Sequence, residues 1–141
     1  LKKIGVKYVS SDLRDADDGL NPPLLNKDNT PRQPYYYKNG LLEIPSIGWQ
    51  DTVFSKTSKT PTKEKPPETY EEIINYYKEL FQKAISISEE NNKEHFLGLV
   101  LHPYDNSFYN QNNRFFYDLN DIIKNINAEF CKYEDVLLNF S

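Results

Sequence analysis

Phe96-Leu97-Gly98-Leu99-Val100-Leu101-His102-Pro103-Tyr104-Asp105 decides the reading of this chain. A run of apolar residues of strand length, too short for a buried helix, ends at a histidine that a following proline biases toward extended backbone. Apolar side chains on both faces predict a strand covered on both sides, as in a sheet flanked by helices. In such sheets ligands and reacting groups gather beyond the carboxyl ends of the strands, where His102 falls. Imidazole exchanges protons near neutral pH, which makes His102 a candidate acid or base. A histidine at a strand end also serves simply to cap a loop or bond a backbone carbonyl, and the sequence leaves both roles open. His95 stands at the beginning of the predicted strand, away from any chemistry at its end.

Immediately upstream, Thr69-Tyr70-Glu71-Glu72 has the spacing of a capping box, with Thr69 as N-cap and Glu72 three residues on. Ile73, Tyr77, Leu80, Phe81, Ala84 and Ile87 then recur at helical spacing, which predicts a core-packed helix to about Glu90, ended by Asn91-Asn92. Downstream, a polar loop over 104–114 leads to a second predicted helix over 116–127, with Leu119, Ile122, Ile123 and Ile126 on one face. A short strand over 128–132 is predicted after it.

The first half of the chain reads as β structure and loops. Residues 6–11 predict a short strand. The stretch from Tyr35 to Pro45 predicts a hairpin, with Asn39-Gly40 as the favoured type I′ dipeptide and Pro45 ending the second strand. Just beyond lies the single tryptophan, in Gly48-Trp49-Gln50-Asp51. An indole next to hydrogen-bonding groups suits a carbohydrate pocket, and it suits equally a core plug beneath a loop. Between the first strand and the hairpin, residues 12–34 form a long polar connection, expected to cross the rim of a site. Its Asp15, Asp17 and Asp18 lack the alternating ligand spacing and terminal glutamate of a calcium loop. Residues 54–67 read as a surface loop. Leu1-Lys2-Lys3-Ile4-Gly5 reads as the last turn of a helix, and so predicts that sequence precedes it.

The 141 residues carry a net charge of −4 with acids and bases mixed. No basic stripe is formed, which speaks against nucleic acid as a partner. The single cysteine, Cys131, excludes an internal disulfide and a cysteine-based zinc site. No run approaches the length of a membrane span. The order β, hairpin, α, β, α, β belongs to an α/β layered or barrel architecture, with too few strands for a well-covered sheet by itself.

The order of these motifs resembles the C-terminal half of the polysaccharide deacetylase family, the NodB-type carbohydrate esterases. The matching segments are GVKYVSSD at 5–12, GLLEIP at 40–45 leading to GWQD at 48–51, LVLHPYD at 99–105, and DLNDIIKNI with FCKYEDVL at 118–137. The resemblance covers nearly the whole chain. It implies a partial, irregular (β/α) barrel and the removal of acetyl groups from chitin-like or peptidoglycan sugars, outside the cell or at its surface. It also implies an acetylated polysaccharide as partner.

By that resemblance, His102 protonates the leaving amine or alcohol, Leu101 and Leu99 line the pocket for the acetyl methyl, Trp49 walls the pocket, and Asp51 tunes the histidine. GWQD reverses the family's acid-before-tryptophan order, and His102-Pro103 replaces the common His-Asp. The family's divalent metal, often zinc, takes an aspartate and two histidines from the amino-terminal half, which also holds the aspartate base. This chain has no His-x-x-x-His, so residues 1–141 are expected to be the C-terminal portion of the domain, with the metal-binding half missing and no metal held by the chain's own residues. A non-catalytic carbohydrate-binding or interaction module built on the same fold is the alternative. A glycosidase using Glu43 with Asp105 is a third reading, set back because Glu43 falls inside a predicted strand.

Overall fold

A computed structural model describes residues 4–11, 20–56, 61–102 and 111–139. Of the expected helix end at Leu1–Gly5, residues 1–3 lie outside the described residues, as do the aspartates 15, 17 and 18 and Asp105, while Gly5 has φ 85°. Among the described residues the structure is mixed α/β, with three α-helices and one small open sheet. Strands β1 (Tyr8–Val9), β2 (Tyr35–Tyr36) and β3 (Leu42–Glu43) are ordered β1-β3-β2. β1 runs parallel to β3, with Tyr8 opposite Leu42, and β2 runs antiparallel to β3, with Tyr36 opposite Leu42. Among the described residues this sheet does not close into a barrel.

The hairpin forms where the sequence predicts it, with a different turn. A type I′ turn requires positive φ at both central residues. Asn39 is not among the residues with positive φ, whereas Gly40 has φ 74°. Gly40 N–H donates to the Tyr37 carbonyl at 2.8 Å and Tyr37 N–H to the Leu41 carbonyl at 2.9 Å, so a three-residue loop with glycine in the left-handed position closes the hairpin. β3 stops at Pro45, which has no N–H for a ladder. The backbone stays extended and enclosed beyond it, and every residue from Leu41 to Trp49 is buried. This spine, and not residues 96–101, is the centre of the fold.

The spine is flanked on both sides. On one side Gly48 N–H donates to the Pro22 carbonyl at 2.8 Å and Gln50 N–H to that of Leu20 at 2.9 Å. Arg32, 2% exposed, donates Nε–H to the Ser46 carbonyl. The described part of the 12–34 connection is thus a flank of the core and not the expected excursion over a rim. On the other side run residues 96–102. Among the described residues they share one β-bridge with the spine, the parallel Ser46–Gly98 pairing, so the expected strand is an extended segment without a regular ladder. Gly98 lies so close that an added Cβ would stand 2.9 Å from the Pro45 carbonyl oxygen.

Helix α1 (Tyr70–Asn91) begins and ends as the sequence predicts. Thr69 Oγ1 accepts from Glu72 N–H at 3.2 Å, and Glu72 accepts from Thr69 N–H at 3.1 Å. Asn92 takes the left-handed conformation, φ 50° and ψ 46°, and ends the helix. The face carrying Ile73, Tyr77, Leu80, Phe81 and Ala84 packs on Ile47, Trp49 and Phe54 of the spine and its adjoining turn, and on helix α2 (Arg114–Lys124) through Phe115 and Leu119.

α2 starts two residues before the expected 116 and ends three before 127. The strand expected over 128–132 is absent, and Phe130 there is 64% exposed. A third helix, α3 (Tyr133–Asn139), comes next. Its Asp135 accepts from Lys132 N–H at 2.8 Å, and its buried Val136 covers Leu42 and Ile44 of the sheet.

Candidate functional site

A regular parallel ladder sends the N–H groups of residues i and i+2 to carbonyls two residues apart on the neighbour. Ile47 N–H reaches the Gly98 carbonyl at 2.8 Å, so Trp49 and Asp51 would be served by residues 100 and 102. The spine turns instead at Gly48, with φ 78°, and Asp51 N–H goes to the Val100 carbonyl at 3.4 Å. Four residues of the spine therefore span two of its neighbour, a bulge that re-aims the side chains beyond it. The shift draws Asp51 back until its carboxylate stands opposite His102.

There the carboxylate makes two contacts with one residue. Asp51 Oδ2 accepts the backbone N–H of His102, and Oδ1 lies 2.6 Å from His102 Nδ1. The Asp51 carbonyl meanwhile accepts Phe54 N–H at 3.0 Å and Ser55 N–H at 3.1 Å, which fixes the turn after it. The Asp51 side chain is fully buried, and that of His102 is 31% exposed. A carboxylate only accepts hydrogen bonds, so Nδ1 carries a proton, and the neutral ring has its lone pair on Nε2. An imidazole anchored this way takes or gives a proton at Nε2 without losing its orientation.

The other expected site residues do not converge on this pair as one pocket. Leu99 and Leu101 are half-buried and pack against the core cluster. Trp49 is 4% exposed and belongs to that cluster with Phe54, Tyr77 and Phe115. Its edge reaches a recess of about 390 Å³ bounded by Asn21, Tyr76, Pro66 and Pro67; neither Asp51 nor His102 lines this recess. His95 is half-buried, and burial, with Lys93 nearby, holds its imidazole below its ordinary value.

Glu43, set back by the sequence reading, is 0% exposed. Its carboxylate accepts Ser11 N–H at 2.7 Å, Ser11 Oγ–H at 3.0 Å and the Tyr37 hydroxyl at 2.9 Å. Three donors on a buried carboxylate tie β3 to the chain just beyond β1 and to the hairpin loop. Glu43→Gln retains one carbonyl oxygen and turns an amide donor toward these donors. We expect a loss on the order of 1–3 kcal/mol in urea denaturation; an unchanged midpoint would show that the cluster contributes nothing to stability.

Sequence reasoning missed Tyr76. Its hydroxyl accepts Trp49 N–H at 2.9 Å and donates to Asn21 Oδ1 at 3.3 Å, and burial pushes it up to about 12. One tyrosine among eleven carries no local signal of such a role. Among the described residues, no three His, Cys, Asp or Glu side chains converge as a ligand set. No protein-family model matches the chain, and neither a curated protein nor a solved structure matches it at significance. Among the described residues no helix is long and apolar enough to cross a membrane.

Proposed function

We propose that this chain is the C-terminal portion of a NodB-type polysaccharide deacetylase domain, hydrolysing acetyl groups from chitin-like or peptidoglycan sugars. The observation that carries the reading is the Asp51–His102 pair at the ends of two parallel extended segments. Breaking the C–N bond of an acetamido group would expel an amide anion, so the nitrogen needs a proton as the bond breaks. His102, protonated at Nε2 and held by Asp51 at Nδ1, supplies that proton, and the sugar leaves with a free amine. In the same reading Leu99 and Leu101, which share a segment with His102, line the pocket for the acetyl methyl.

In this reading the divalent metal and the base that activates water come from residues outside the chain, and the open sheet is part of an irregular (β/α) barrel. Incubation with N-acetylated chito-oligosaccharides tests this. The complete gene product is expected to release acetate and the 141-residue chain by itself none. Turnover by the isolated chain, or none by the complete product on chito-oligosaccharides and on peptidoglycan fragments, would overturn the reading.

A further inference from the structure

Five consecutive N–H groups of the spine have five identified acceptors. Ile47 and Asp51 donate to Gly98 and Val100 on one flank, at 2.8 and 3.4 Å, and Gly48 and Gln50 to Pro22 and Leu20 on the other, at 2.8 and 2.9 Å. Trp49 is the exception. Its N–H, which the bulge removes from the ladder, is taken at 2.9 Å by a side chain, the Tyr76 hydroxyl from α1. The helix is pressed onto the spine at this point: a Cβ on Gly48 would stand 2.6 Å from that hydroxyl oxygen and 2.9 Å from Leu80 Cδ2. An N–H buried without an acceptor is destabilising, which favours return to the regular register. In that register Asp51 N–H would bond the His102 carbonyl, and the carboxylate would no longer face Nδ1.

We infer that Tyr76 is a positioning residue for the Asp51–His102 pair: by accepting the Trp49 N–H, it holds the bulge that sets the carboxylate against the imidazole. The inference rests on reading that pair as a proton-transfer site, although its geometric part stands without any assay of turnover. Asn21, which accepts from the Tyr76 hydroxyl at 3.3 Å, orients the hydroxyl so that its lone pair faces Trp49.

The test is proton NMR of the full chain, tracking the far-downfield Nδ1–H resonance of His102, assigned by its loss in His102→Ala. Tyr76→Phe removes one oxygen and keeps the ring. It is expected to move this resonance upfield or broaden it away. Tyr70→Phe, which removes a hydroxyl bonded to Asp118 at 2.6 Å on another part of α1, is expected to leave it in place. Should Tyr76→Phe not fold, Asn21→Ala is expected to shift the resonance in the same direction and by less. An unmoved resonance in the folded Tyr76 variant, or in Asn21→Ala if that is the variant available, overturns the inference. Equal shifts in Tyr76→Phe and Tyr70→Phe also overturn it, since they would reflect general loosening of α1. A deacetylase reading that fails leaves this result untouched, because that failure appears as unchanged turnover in His102→Ala.

Discussion

Asp51→Asn is expected to lower acetate release by about 10²–10⁴-fold, the range of general acid–base catalysis and of wrong-tautomer variants in hydrolase triads. The carboxylate meets two donors of one residue, the His102 backbone N–H and Nδ1–H. Asparagine has one carbonyl oxygen. If that oxygen keeps the backbone N–H, the amide NH₂ faces Nδ1 and forces the lone pair there, moving the neutral ring's proton to Nε2. An Nδ1–H then has no acceptor, so the doubly protonated ring that donates from Nε2 loses the partner that held it. Nitrogen-15 NMR of the ring reads the tautomer directly, and the rate reads its consequence. A wild-type rate with an inverted tautomer would show that Asp51 serves only to hold the backbone of His102.

Phe115→Ala is expected to have the largest effect on stability. Phe115 is 0% exposed on α2, with its ring centroid 5.4 Å from that of Tyr77 on α1. It fills the junction of the two helices with the spine. Truncating a buried phenylalanine costs about 3–5 kcal/mol, from lost transfer energy plus the cavity left behind. Total stability of a domain is typically about 5–15 kcal/mol, so the variant is expected near its unfolding midpoint at modest urea concentration. Leu138→Ala, at a residue 74% exposed, is the matched control and should change stability by less than about 0.5 kcal/mol. Equal losses in the two variants would mean that the core is not centred where the buried residues place it.

The contrast between α1 and the segment at 96–102 shows what local sequence carries. α1 is specified by signals within its own span: a capping box, a periodic stripe, and an asparagine able to take the left-handed conformation. The segment at 96–102 has the composition of a strand, yet whether it forms a ladder depends on its neighbour. That neighbour loses register at Gly48, about 50 residues earlier in the chain. Asn39-Gly40 marked the hairpin correctly and its turn incorrectly, because a loop one residue longer satisfies the same dipeptide with only the glycine at positive φ. The seven-residue α3 was missed, although Glu134 and Asp135 in its first turn are the acids a helix start favours.

For the candidate site, Asp51 and His102 were each singled out on the sequence, and their meeting was not derivable from it. It depends on a two-residue shift between segments, and residues 51 positions apart give no pattern for such a shift. Trp49 illustrates the opposite limit: its composition of neighbours suited a pocket and a core equally, and only the position of α1 buries it. Glu43 lies within a predicted strand, away from the strand end where a catalytic acid is expected. That position is right, and the burial and three donors that come with it make it an anchor of the sheet.

The central claim is that His102, held by Asp51, transfers a proton during removal of an acetyl group. It is tested most directly by acetate release from N-acetylated chito-oligosaccharides by the complete gene product, wild type against His102→Ala. The predicted result is a fall of at least about 10²-fold in His102→Ala at matched folded concentration. Equal rates in the two proteins would contradict the account and leave the pair as a structural contact.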